Sequence, residues 1–336
     1  MKNLLTLSIL IISIVFWSCN KEKITQNSES SKNITAKSPS VSNNNPSGAS
    51  FANVQQYLNT WSVQPDQFQF QANTGGTFTT QKGSILTIPA NAFSYADNSL
   101  AAGTINIKVK EVYTTKEIIK TGIYPVSGTQ VLNSGGQFFM EATQNGSPLI
   151  VTNGALVDLK IPAQAQDPNM ELFLAGPDEN NAPWEVVDSI MNGGPNTQWP
   201  ASGFTFNSAD DTYSINLDSL GWGNIDVFLS TNYFDCTFNL TGLSNLDNTN
   251  TNAFAVFKNQ NSVWPTGVQG WGSISNSVIQ ETHLADVPMN IVVISVENGQ
   301  LFYGLLDVTP VQNQTYTINM VATTSDVLDA LIENLP

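Results

Sequence analysis

Apolar residues recur along most of this chain at every second position. Phe68/Phe70/Ala72, Ile105/Ile107/Val109, Tyr213/Ile215/Leu217 and Tyr316/Ile318/Met320 each alternate with polar neighbours, the period of strands with one face buried and the other in water. Asn145-Gly146 joins the apolar run 138–143 to 149–151, and Asn298-Gly299 joins 289–296 to 301–308. Asn-Gly predicts two-residue hairpin turns, in which both central residues take φ > 0. The run Met289 to Val296 is almost wholly apolar, which predicts a strand at the centre of a sheet. Helical spacing is confined to the edges of this region. Phe51, Val54, Tyr57, Leu58 and Trp61 form one stripe with Ser50 placed to cap it, and Thr324-Ser325-Asp326 precedes Val327, Leu328, Leu331 and Ile332 ahead of Pro336.

The N-terminus follows another pattern. Lys2 precedes an apolar run from Leu4 to Trp17, with Ser18-Cys19 after it. The run is shorter than the roughly 20 residues of a membrane span but suits the core of a signal peptide. A small residue directly before cysteine is the bacterial lipoprotein cleavage pattern, which marks 1–18 as a lipoprotein signal peptide and Cys19 as the lipid attachment site. Residues 19–50 are polar, with few large side chains. Such a segment buries too little apolar area to offset its ordering entropy, so it reads as a disordered tether. A short helix over 51–66 leads into two strand-rich regions, 67–190 and 203–336, divided near residue 200 by the turn-rich stretch 189–203. The expected fold is all-β: two β-sandwich-like domains after a signal peptide and disordered tether, with short peripheral helices.

Composition narrows the chemistry. Of 336 residues only 12% are charged, and 27 acids face 12 cations, all lysine, for a net charge of −15. A chain without arginine has no guanidinium fork for phosphate, and an acidic surface is repelled by nucleic acid. One histidine and two cysteines leave no Cys/His zinc set. With Cys19 acylated, Cys236 would be the one remaining thiol, so stability must come from packing rather than a disulfide.

Nucleophilic catalysis would have to use His283, which lies in Glu281-Thr282-His283-Leu284 with no Gly-x-Ser-x-Gly elbow in the chain. Cys236 shares a strand face with Phe234, Phe238 and Leu240 and reads as a core residue. The acid pairs Asp210-Asp211 and Asp178-Glu179 sit in turn-like surroundings. The oxygen-rich stretch Asn245 to Asn252 lacks the glycine and the terminal glutamate of an EF-hand loop. No cofactor is implied, and an irregular Ca2+ site in the acidic surface is left open. Trp264 and Trp271 lie in one glycine-rich segment, Trp264-Pro265-Thr266-Gly267-Val268-Gln269-Gly270-Trp271-Gly272. As an exposed pair they would stack on sugar rings or a partner's apolar anchor; otherwise they cover an end of the sandwich.

Several stretches resemble a known family: Gly75-Gly76-Thr77, the run from Lys82 to Phe93 with Ile88-Pro89-Ala90-Asn91-Ala92-Phe93, Gly103-Thr104-Ile105, Ser134-Gly135-Gly136-Gln137-Phe138-Phe139 and Met170-Glu171-Leu172-Phe173 leading to Trp184. On these, residues 67–190 resemble a β-sandwich of Bacteroidota-type surface lipoproteins, related to the ZU-five domain of zonula occludens proteins, netrin receptors and ankyrins. Leu220-Gly221-Trp222-Gly223-Asn224-Ile225-Asp226 looks like the segment that follows this domain in such lipoproteins. The resemblance implies a scaffold used for protein interaction. Some relatives cleave themselves at His-Phe-Ser, but His283 is followed by Leu284-Ala285, and no functional residue transfers.

The expected protein is therefore a non-catalytic, lipid-anchored cell-envelope protein of the outer membrane that presents its β-sandwiches to a protein or glycan. It would touch the membrane through its N-terminal lipid and would not bind nucleic acid. The alternatives are a carboxylate-based polysaccharide hydrolase and a structural subunit of a surface assembly.

Overall fold

The computed structural model of the chain describes residues 50–60, 63–164, 167, 169–186 and 203–336. Cys19, the expected signal peptide and the expected tether up to residue 49 lie outside the described residues, as does Trp61. Strands dominate, and the described helices number three.

Helix α1 (Val54–Asn59) buries Val54, Tyr57 and Leu58, the stripe that the spacing predicts. Its cap is Asn53 rather than Ser50: the Asn53 side chain accepts the Gln56 N–H at 2.8 Å. The start is delayed because Phe51 is held outside the helix, its N–H donated to the Gly299 carbonyl and its ring edge-on to Tyr57 at 5.5 Å. Helix α2 (Thr115–Thr121) was not expected. It is closed by a capping box between Thr114 and Glu117 and ends on Gly122 at φ +70°, a left-handed cap that glycine adopts without steric cost. Helix α3 (Ser325–Glu333) is capped by Thr324 and ends at Asn334, burying Leu328 and Ile332.

The first sandwich faces an eight-stranded sheet against a five-stranded one. The larger runs β1 (Asp66–Gln71), β5 (Thr104–Val112), β7 (Gln130–Gln144), β15 (Gly221–Phe228), β11 (Glu171–Ala175) and β12 (Glu185–Val186), with β6 (Val126–Ser127) and β8 (Ser147–Pro148) paired to β7. The smaller runs β13 (Gly203–Asn207), β14 (Thr212–Leu217), β10 (Val157–Pro162), β3 (Ile85–Ile88) and β2 (Gly76–Thr79). A ribbon of β4 (Phe93–Ser94) and β9 (Ile150–Val151) closes one end, with Phe93 fully buried. Between the sheets lie Leu86, Ile105, Ile107, Phe138, Leu159, Tyr213, Ile215 and Ile225.

The second sandwich packs β19 (Ile274–Ser275), β20 (Val278–Ala285), β16 (Tyr233–Thr241) and β23 (Gln314–Asn319) against β18 (Val263–Trp264), β17 (Thr251–Phe257), β21 (Met289–Glu297), β22 (Gln300–Val308) and β24 (Val321–Thr323). Strand β21 is central and buried on both faces from Met289 to Val296. Both Asn-Gly turns take the expected form, with Asn145 and Gly146 at φ +49° and +80° and Asn298 and Gly299 at +50° and +82°.

The sheets correct the expected division near residue 200. Strands β13, β14 and β15, after that break, pair with β10, β7 and β11 of the first sandwich. The second sandwich begins only at β16. A turn-rich stretch marks a connection, and a connection within one sandwich has the same composition as a linker between two.

The two sandwiches belong to one compact unit. Phe139, Phe173 and Trp222, on the outer face of the eight-stranded sheet, share a core with the three helices and the second sandwich. The β17–β18 hairpin docks on β7: Ser134 donates its N–H to the Asn261 carbonyl at 3.2 Å, and Asn261 Nδ2 donates to the carbonyls of Tyr113 and Ser134. Across β15 and β7, Gly223 stands opposite Phe138, and a Cβ at Gly223 would lie 2.1 Å from the Phe138 ring. Phe138 is buried, so a side chain at 223 would have to displace its ring within the core. Gly223→Val is therefore expected to destabilise the fold by about 1–3 kcal/mol, read as a lower urea midpoint at unchanged m-value.

Candidate functional site

The glycine-rich aromatic segment does not present two indoles. Trp264 closes β18 at 9% exposure, and its Nε1–H donates to Glu281 Oε2 at 3.1 Å. Thr266 Oγ donates to the same oxygen at 2.6 Å. A buried indole needs a partner for its N–H, and Glu281 supplies it, so Trp264 is a core residue. Trp271 is 49% exposed, the most exposed aromatic among the described residues. Its ring stands edge-on to Tyr124 at 5.9 Å, and Tyr124 packs in turn against Phe254 at 6.2 Å. The Tyr124 carbonyl accepts Trp184 Nε1–H at 2.9 Å. Trp271 is thus an exposed indole on a rigid aromatic support.

The loop carrying Trp271 is fixed by the segment read as a possible cation ligand. Asn248 Nδ2 donates to the carbonyls of Gly267 and Gly272, and Asn248 Oδ1 accepts the Ile274 N–H at 2.8 Å. Asp247 accepts both the hydroxyl and the N–H of Thr249, which hold its carboxyl below the usual range. The Asp247 and Asn248 side-chain oxygens therefore serve neighbouring N–H and hydroxyl groups. Among the described residues, no three His, Cys, Asp or Glu side chains are grouped to hold a metal ion. Two residues beyond Trp271 begins a surface hollow of about 470 Å3 lined by Ser273, Ser275, Asn276, Val278 and Gln280. Its polar lining is hydroxyl and amide, without a charge.

Burial works against the charge on Glu179, but the ammonium groups of Lys108, at 2.8 Å, and Lys110 outweigh it and hold Glu179 below the usual range. Asp210 pairs with Lys160, and Asp211 takes a left-handed turn conformation at φ +51°. His283 falls within β20. The Cys236 thiol is buried and pushed up to about 11 by burial. Asp226 is fully enclosed, and its carboxyl is raised well above the usual range by burial, against the opposing hydrogen bonds of Ser134 and Asn224. It lies inside the fold rather than in a cleft.

One cluster has no counterpart in the sequence reading. Tyr57 from α1 donates its hydroxyl to Asp329 Oδ1 of α3 at 2.6 Å, and Lys120 Nζ of α2 lies 3.4 Å from the same oxygen. Lys120 Nζ also sits 3.8 Å from the centre of the Tyr57 ring, a cation–π contact. Thr114-x-x-Glu117 before Ile118-Ile119 was the available helix signal, but the meeting of three side chains 63 to 272 positions apart has no local signature. Burial lowers Lys120 to about 8, although Asp329 favours its charge. Compared with known family models and with curated proteins, the chain matches none.

Folded Lys120 holds its proton more weakly than unfolded lysine, so stability is withheld below about 8 and recovered as pH rises toward 10.5. Cys236 acts in the opposite sense above 9, where an unfolded thiol ionises and the folded one does not. Between pH 8 and 9 the urea midpoint of the wild type is expected to rise relative to Lys120→Met; parallel profiles would show that Lys120 stays charged throughout.

Proposed function

We propose that this chain is a non-catalytic lipoprotein of the bacterial cell envelope, attached to the outer membrane through Cys19, whose β-sandwich body engages a glycan or a protein. The observation that carries the binding role is Trp271, a half-exposed indole held edge-on by Tyr124 and followed in the chain by a neutral hollow of hydroxyls and amides. An exposed aromatic face suits a sugar ring or a partner's apolar anchor, and its packed support lowers the ordering cost of binding. Cys19 supports the anchor through its place after the Lys2-led apolar run and Ser18. The stretches that resemble ZU-five-like lipoprotein sandwiches support the scaffold role. Glu179 and Asp210 support a binder over a hydrolase, because each carboxylate pairs with lysine.

Two measurements test the proposal. Cys19→Ser is expected to move the protein from the membrane pellet to the soluble fraction of fractionated cells; persistence in the pellet overturns the anchor. Trp271→Ala is expected to lower binding on an array of envelope and host polysaccharides about tenfold, equivalent to about 1.4 kcal/mol, with unchanged circular dichroism and no release of reducing sugar by either protein. Polysaccharide cleavage by the wild type would overturn the non-catalytic assignment.

A further inference from the structure

Strand β1 ends the eight-stranded sheet and carries Asp-Gln-Phe-Gln-Phe-Gln. It pairs with β5 through six residues in unbroken register. The Ala72 N–H donates to the Gly103 carbonyl at 2.8 Å, and antiparallel pairing alternates from there. Residues 66, 68 and 70 therefore direct their main chain to β5, while Gln67, Gln69 and Gln71 direct theirs outward. Among the described residues nothing bonds to the main-chain N–H or C=O of Gln67 or Gln69. The Gln71 carbonyl is taken by the N–H groups of Thr74 and Gly75, which leaves its N–H facing out. Natural edges are usually blunted by lysine, interior proline or a bulge, and β1 has none of these. Among the described residues the other sheet ends are β12, β18 and β19 with two residues each, β24 with three, β2 with four, β13 with five and β23 with six.

From this edge we infer that the chain self-associates: β1 pairs antiparallel with β1 of a second copy, about a twofold axis through Phe68, and joins two eight-stranded sheets into one. In that register Gln67 of each copy faces Gln69 of the other, and both pairs exchange two main-chain hydrogen bonds. Gln71 faces Pro65 of the second copy. Proline has no N–H to give, and the Gln71 carbonyl already has its donors, so one further bond, Gln71 N–H to the Pro65 carbonyl, forms at each end. The register leaves no donor stranded. It also sets no like charges opposite one another, since Asp66 faces Phe70. The glutamine side chains line one face as an amide ladder, continuing the Gln69–Asn106 bond at 2.8 Å and the Gln71–Thr104 bond at 2.9 Å already present within each copy. On the other face, half-buried Phe68, stacked on Phe78 at 5.0 Å, meets its own counterpart. So short an edge buries less than the roughly 1,200 Å2 of a standard interface, so the dimer is weak and fills when the chain is crowded. The inference goes beyond the proposed binding role and stands without it.

The experiment uses the full-length chain. In this register the two Phe68 Cα atoms lie about 4.5 Å apart, as a non-hydrogen-bonded pair, whereas two residues at position 71 are six positions, or about 20 Å, out of step. On mild oxidation, Phe68→Cys is expected to give a disulfide-linked dimer well above the wild-type background from Cys19 and Cys236, while Gln71→Cys stays at background. Adding Gln69→Pro to Phe68→Cys is expected to abolish the dimer. Proline there removes an outward N–H and the exposed Gln69–Asn106 side-chain bond but no main-chain bond between β1 and β5, so circular dichroism is expected to be unchanged. Independently of any change at Phe68, the wild-type mass in sedimentation is expected to rise with concentration toward two chains, and that of Gln69→Pro to remain at one. A wild type that stays single at high micromolar concentration, a Gln71→Cys crosslink as strong as that of Phe68→Cys, or association indifferent to Gln69→Pro overturns the inference.

Discussion

Phe139, Phe173 and Trp222 stand on the outer face of the largest sheet, where a solitary sandwich would meet water, and all three are buried in a core shared with the helices and the second sandwich. Apolar burial stabilises by about 25 cal/mol per Å2, so parting the sandwiches would forfeit the packing of three large aromatic rings. This contact makes β7 and β15 buried on both faces over much of their length. It also encloses polar groups that an outer face would leave to solvent. Ser134, Gln137, Asn224 and Asp226 all have no measurable exposure. Ser134 donates to Asn224, Asn224 donates to Asp226, and burial raises the Asp226 carboxyl well above the usual range. A charged Asp226 at this seam would oppose the contact that encloses it.

The helices answer to the same constraint. They line the shared core, and an ionic cluster they bury, Tyr57–Lys120–Asp329, joins all three. Removing water weakens the hold of Lys120 on its proton, while the aromatic ring and the carboxylate restore part of what solvation supplied. Trp271 stands apart from this economy of burial. Its support, Tyr124, belongs to the shared core, so the exposed indole inherits the rigidity of the junction between the sandwiches.

Much of the secondary structure was legible. Ile105/Ile107/Val109 and Tyr213/Ile215/Leu217 alternate because each strand has one face in the first sandwich, and all six are buried. The Asn-Gly turns were legible because few other residues accept two successive positive φ angles. Helix α2 was missed although its capping box is in the sequence, because seven residues between two strands carry too few turns for a clear helical period. The site was less legible. Trp264 and Trp271 read as equivalent in a glycine-rich segment, yet one is buried by Glu281 and the other stands out from Tyr124.

What the sequence determined by itself is local: strand period, hairpin turns, a capped C-terminal helix and an all-β class, since each depends on the stereochemistry of neighbouring residues. Only the tertiary structure decided which strands share a sheet, that residues 203–228 complete the first sandwich, and which of two tryptophans meets solvent. Those outcomes rest on contacts between residues far apart in the chain, such as Phe138 with Gly223 and Tyr57 with Asp329. Hydrophobic burial constrains how much apolar surface is covered, while the partner that covers it is settled by shape and register across the whole fold.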